Sequence, residues 1–169
     1  RWHLQDAMRD AVPVFLRVED EFATLFGLRY GAIECYRSTD ARLILVTSAT
    51  ITSTAREVVD TLRNRGQAVG LVKVKMFRPF PTALLREALA PARRVAVLDR
   101  NISPGHGGIF AEEIRSALYD LPAARRPRLH GFVVGLGGRD VTPATIEECL
   151  DRARAAAAAD GPPAREDVW

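Results

Sequence analysis

From Ala41 onward, short β-branched apolar runs alternate with segments of helical pattern, and no other feature of the chain limits its fold so tightly. The runs are LILVT (43–47), VGLVKVKM (69–76), VAVL (95–98) and LHGFVV (129–134). A continuous apolar run bounded by turn residues is the pattern of a strand covered on both faces. Between the runs, apolar residues recur at helical spacing: Ala55, Val58, Val59 and Leu62 before a stop at Gly66, then residues 82–89, 109–119, and a last helix from Thr142 to about Gly161. Such alternation builds right-handed βαβ crossovers and a largely parallel sheet. The expected class is therefore α/β, a three-layer sandwich with a mostly parallel sheet. GAIECY (31–36) stands outside the alternation and is expected as an antiparallel edge strand, with Cys35 a buried apolar residue.

Residues 6–26 form an amphipathic pattern of Ala7, Ala11, Val14, Phe15, Val18, Phe22, Leu25 and Phe26, with Pro13 breaking or kinking the helix near its start and Gly27 ending it. Ser53 or Thr54 is expected to cap the helix after the 48–53 loop. Thr142 followed by Pro143 is a cap with proline at the first helical position. Residues 1–29 are read as a linking helix, 30–160 as the α/β domain, and 161–169 as a loose tail.

The stretch 94–108, RVAVLDRNISPGHGG, carries the most chemistry. Loops converge beyond the carboxyl ends of parallel strands, so ligands favour that place. Asp99, Arg100, Asn101, Ser103 and His106 lie there among Gly105, Gly107 and Gly108. The loop GLGGRD supplies Gly137, Gly138, Arg139 and Asp140 at the end of another strand. Glycine-rich loops ahead of helices can present N–H groups to phosphate. Neither GxGxxG nor GxxxxGK[ST] occurs, however, and structural turns explain both loops better. No GxSxG elbow supports a hydrolase. His130 falls in mid-strand, the place of a structural histidine, while His106 would need a partner to act as an acid or base.

Twenty-four basic and 21 acidic residues give a net charge of +3. Nearly all the bases are arginines interleaved with acids, which argues against a nucleic-acid face. The one local cluster, Arg125, Arg126 and Arg128, belongs to a Pro-flanked solvated loop. Cys35 and Cys149 match no metal or cluster spacing, so no iron–sulfur cluster is expected in this chain. The apolar runs are too short to span a bilayer, and residues 1–10 lack a signal-peptide pattern. A cytoplasmic setting is the expectation, and the non-Met start suggests a piece of something longer.

Three motifs in order, the FRPFP turn (77–81), VAVLDRNISPG and VVGLGGRDVTP, resemble the second domain of the α subunit of 2-oxoacid:ferredoxin oxidoreductases, of the pyruvate and 2-oxoisovalerate kinds. The resemblance spans residues 30–150 and implies a transketolase C-terminal-like fold. It further implies a complex that oxidatively decarboxylates a 2-oxoacid with thiamine diphosphate and Mg²⁺, passes electrons through iron–sulfur clusters to ferredoxin, and yields an acyl-CoA. Those groups belong to other domains and subunits of the family, and the GDG…N motif is missing here. The resemblance thus leaves this chain a structural, non-catalytic part, inactive alone. Its carried-over positions are Arg78 and Pro79, residues 99–105 with Gly107 and Gly108, and residues 137–140. Arg78 is expected to pair with a carboxylate, Asp99 or one from another domain. The alternative is a free-standing module that binds a nucleotide or acyl-CoA at residues 99–108 and 135–140. Exposed apolar surface on the 6–26 helix favours the first reading, and a self-contained monomer with converging polar groups the second.

Overall fold

The computed structural model describes residues 1–156 and the backbone of 166–167. Its elements in chain order are α1 (Trp2–Phe26), β1 (Ile33–Tyr36), β2 (Leu43–Ser48), α2 (Ile51–Asn64), β3 (Val69–Val74), α3 (Thr82–Leu89), β4 (Arg94–Asp99), α4 (Ile109–Tyr119), β5 (Arg128–Val133), α5 (Pro143–Ala155) and β6 (Glu166–Asp167). Strand order is β1-β3-β2-β4-β5-β6, and among the described strands only β1 runs antiparallel to its neighbour.

Period-two alternation sorts the core into two layers. Leu43 and Leu45 of β2, Ala96 and Leu98 of β4 and Phe132 of β5 meet Val58, Leu62, Ile146 and Leu150 of α2 and α5. Ile44, Val46, Val95 and Val97 turn to the opposite face, against Leu85, Leu89, Ile114 and Leu118 of α3 and α4. Burying each such side chain favours folding by about 1.5–3 kcal/mol. Helices on both faces of a mostly parallel sheet with an antiparallel edge are the three-layer α/β architecture expected.

Several local expectations need correction. The first helix begins at Trp2 and runs through Pro13 without a break. It buries no residue, so water can solvate the carbonyl that proline leaves unbonded. Cys35 is exposed, whereas Cys149 is buried. β1 is an edge strand, and the helices of that face reach Ile33 but leave Cys35 at the rim. Neither Ser53 nor Thr54 caps α2. That helix starts at Ile51, which is buried, and the Ser53 hydroxyl donates to the Thr50 carbonyl. Burial of Ile51 and Thr52 draws the helix start earlier than the hydroxyls suggest.

Other local readings hold. Gly66 (φ 76°) ends α2 in a Schellman arrangement, in which Gln67 N–H donates to Leu62 O at 3.0 Å and Gly66 N–H to Arg63 O at 2.9 Å. Thr142 Oγ1 accepts from Thr145 N–H at 3.2 Å with Pro143 in the first turn of α5. Within the stretch read as a tail, Glu166 and Asp167 pair with Phe132 and Val133. The last helix ends at Ala155, before the expected stop near Gly161, which itself lies outside the described residues.

Candidate functional site

Sheet order places the topological switch point between β2 and β4. β2 connects through α2 to β3 on one side, and β4 connects through α4 to β5 on the other. A crevice opens at such a point, bordered here by residues 48–50 and 100–108.

Asp99 closes β4 and is fully buried. Its Oδ1 accepts the Phe110 N–H at 2.8 Å and its Oδ2 the Ala111 N–H at 3.0 Å. Asn101 Oδ1 accepts the Ile109 N–H at 3.0 Å. The first three amides of α4, which a helix start could offer to an anion, are thus satisfied from within the chain. Burial pushes the Asp99 carboxyl above its ordinary value, and Glu112 adds to the rise. The hydrogen bonds from Phe110, Ala111 and Asn101 work the other way.

Between β4 and α4 the chain folds back on itself. Ser103 N–H donates to Gly107 O at 2.8 Å, and Gly107 N–H returns to Ser103 O at 3.1 Å. Gly105 (φ 76°) and Gly107 (φ 141°) make that reversal possible. His106 points outward, its Nε2 3.6 Å from a Glu112 carboxylate oxygen that belongs to a pair also holding Arg115 at 2.7 Å. At that distance Glu112 is a neighbour of His106 and not a hydrogen-bonded partner.

The Gly135–Asp140 loop lies beside this one. Val134 N–H donates to Asp99 O at 2.8 Å, and a Cβ on Gly135 would come within 3.1 Å of Arg100 Nε. Gly137 and Gly138 adopt φ of 65° and 81° in a single 3₁₀ turn, with Arg139 and Asp140 exposed after it. This is the geometry of a turn.

Arg78 does not meet Asp99. Its guanidinium pairs with Glu113 of α4 and lies 4.1 Å over the Phe77 ring. Asp99 is sealed behind the first turn of α4, and an arginine reaching it would have to lose its own hydration. The Arg78–Pro79 peptide is cis. Phe77 also touches Phe110, with ring centroids 5.0 Å apart, so the FRPFP turn is bound to α4 by charge and by aromatic packing. Arg126, in the basic cluster, donates to the carbonyls of Tyr119 and Leu121 and so ties its own loop.

Two features escaped the sequence reading. Ala49 holds φ of 52° at the mouth of the crevice, and the buried hydroxyls of Thr47 and Thr52 bond each other at 3.1 Å. No local composition marks a non-glycine residue in the left-handed region, although the hydroxyl-rich loop did stand out.

Among the described residues no His, Cys, Asp and Glu cluster could hold a metal ion. With the amides of α4 also engaged, these residues do not fit a Mg²⁺-bound diphosphate. No described helix is long and apolar enough to cross a membrane.

A doubly wound sheet with its switch point at β2 and β4 and one antiparallel edge defines a transketolase C-terminal-like domain. A split-gene transketolase solved as an inactive β4 tetramer shares the fold, with a TM-score of 0.58 and 16% identity over 75% of this chain and 43% of that one. Residues 41–146 match the model for pyruvate:ferredoxin oxidoreductase core domain II, and the chain belongs to that family. It is 45% identical over 152 residues to pyruvate synthase subunit PorA of Methanothermobacter thermautotrophicus, covering 90% of this chain and 38% of that protein. It is 39% identical over 143 residues to ketoisovalerate oxidoreductase subunit VorA of Pyrococcus horikoshii, covering 84% and 36%. The chain thus spans under two fifths of the length of these relatives.

Proposed function

We propose that this chain is the structural, assembly-forming second domain of the α subunit of a 2-oxoacid:ferredoxin oxidoreductase, with pyruvate as the substrate of the whole. The observation that carries the reading is the surface of α1. No residue of this 25-residue helix is fully buried, and Val14, Val18 and Leu25 are 46%, 53% and 75% exposed. At about 100° per residue these three share one face, opposite the face of Val12, Leu16 and Glu19 that looks onto Ile33 and Met76 across a groove of about 640 Å³. An apolar stripe of this size marks a surface meant to be covered.

In this reading the other domains and subunits of the complex hold thiamine diphosphate, Mg²⁺, the iron–sulfur clusters and CoA. The complex converts a 2-oxoacid to an acyl-CoA and reduces ferredoxin in the cytoplasm. The loops at the switch point (Arg78, Pro79, residues 99–108 and 137–140) form contacts to neighbouring domains, and the isolated chain is inactive. The engaged amides of α4 weigh against the alternative, a nucleotide or acyl-CoA site at those loops.

The test is recovery of the tagged chain from its source's extract, with mass spectrometry and a pyruvate- and CoA-dependent electron-acceptor assay. Co-recovery with thiamine- and cluster-binding subunits, activity in the assembly and none in the chain alone are expected. A monomer that recruits no such subunits overturns the reading.

A further inference from the structure

At the opposite end of the sheet from the crevice, the starts of β2, β3 and β4 and the last turn of α5 border an open pocket of about 530 Å³. Among the described residues, Arg42, Arg93, Arg94 and Arg154 line it together with Gln67 and a single acid, Asp151. Asp151 Oδ1 is already held by Arg154 at 2.6 Å. Four guanidinium groups against one carboxylate leave the pocket strongly positive.

Among the described residues, Arg94 Nε and one terminal nitrogen of Arg154 are buried with no acceptor, and Gln67 Oε1 is buried with no donor. A buried polar atom left unbonded is costly, so three of them in one pocket call for a ligand, an ion or water to complete them. Complementing a helix C-terminus does not explain the cluster, because only Arg154 belongs to a helix. The other three come from the strand starts, where Arg93 N–H and Arg94 N–H both donate to Arg42 O at 2.9 and 3.1 Å. This backbone tie holds the starts of β2 and β4 together at the edge of the pocket.

From this geometry we infer that the pocket binds a small phosphorylated ligand carrying hydroxyl or amino donors, a nucleotide or a sugar phosphate. The guanidinium forks of Arg94 and Arg154 suit phosphate oxygens. The Gln67 carbonyl takes a ligand donor, and Arg42 and Arg93 hold further negative charge at the mouth. The volume lies in the range of small-molecule sites. The site stands at the far end of the sheet from the loops assigned to assembly, so it can fail or hold independently of that role.

Isothermal titration of the full chain with ADP, ribose 5-phosphate and inorganic pyrophosphate at about 0.15 M salt tests the inference. ADP or ribose 5-phosphate is expected to bind with a Kd below about 1 mM, and pyrophosphate more weakly for want of a donor to Gln67. The tighter of the first two distinguishes a nucleoside from a sugar source. Arg42→Gln with Arg154→Gln should weaken binding about tenfold or more, and Arg139→Gln at the other end should leave it unchanged. Circular dichroism confirms that the variants are folded. No binding by any of the three, or binding indifferent to the Arg42→Gln/Arg154→Gln change, overturns the inference.

Discussion

The carboxylate of Asp99 fills the space that a Cβ on Gly108 would need. One residue therefore explains the other: β4 ends in an acid that reaches over to the first amides of α4, and the chain between them must pass without a side chain. Gly108→Ala should push the carboxylate off the Phe110 and Ala111 amides and cost about 1–3 kcal/mol. Asp99→Ala should cost about 2–4 kcal/mol by leaving both amides unbonded. Urea denaturation of the two variants and their double mutant checks this. Strict additivity would show that the two residues do not act through each other.

Asp99 also sets a pH dependence. Its folded-state carboxyl titrates above the ordinary aspartate value of about 3.9, because burial disfavours the charge. The folded chain then binds more protons at this position than the unfolded chain, so its contribution to stability falls as pH rises through that window. Asp40 behaves oppositely, since its hydrogen bond to Arg63 holds it below the usual carboxylate range and its stabilisation is lost at lower pH. Denaturation of wild type and Asp99→Asn from acid to neutral pH separates the two. The stability of wild type relative to the variant should decline with pH above about 3.9 and then level off. A relative stability that climbs with pH would contradict the buried, raised carboxyl.

The architecture was legible because buried parallel strands write themselves as continuous apolar runs, and β2, β4 and β5 do so. Gly66 and the Thr142–Pro143 start were legible for the same reason, since local chemistry decides them. Where tertiary packing decides, local signals mislead. Ser53 and Thr54 look like caps, but the burial of Ile51 sets the start of α2. Cys35 looks like core, but its strand sits at an edge that no helix fully covers. The site divides in the same way: the strand-end loops could be located from sequence, whereas Arg78 choosing Glu113 over Asp99 depends on how α4 seals the buried acid. The arginines of the basal pocket were invisible because β2, β4 and α5, which bring them together, are far apart in sequence.

Ala49 offers a test of stored backbone strain. Its left-handed conformation costs a side-chain-bearing residue about 1 kcal/mol, and its exposed methyl loses no burial on removal. Glycine removes that strain but adds freedom to the unfolded chain, worth roughly 0.4–1 kcal/mol. Ala49→Gly should therefore be neutral to stabilising by about 0.5 kcal/mol, whereas Ala49→Val should destabilise clearly. Thermal melts read both, and a Gly variant markedly less stable than wild type would mean that the strain is not there.

The exposed stripe of α1 separates stability from assembly. Val14 and Val18 are about half exposed and on the face turned away from the rest of the domain, so replacing them removes no buried contact. Val14→Glu and Val18→Glu should change the stability of the isolated chain by no more than about 0.5 kcal/mol. The same charges would have to be desolvated wherever the stripe is covered by a neighbour, a cost of several kcal/mol for each ion. Recovery of partner subunits on the tagged double variant should then be lost while its denaturation curve overlays that of wild type. Undiminished recovery would place the assembly surface elsewhere, and the switch-point loops around Arg78 and His106 would be the next to change.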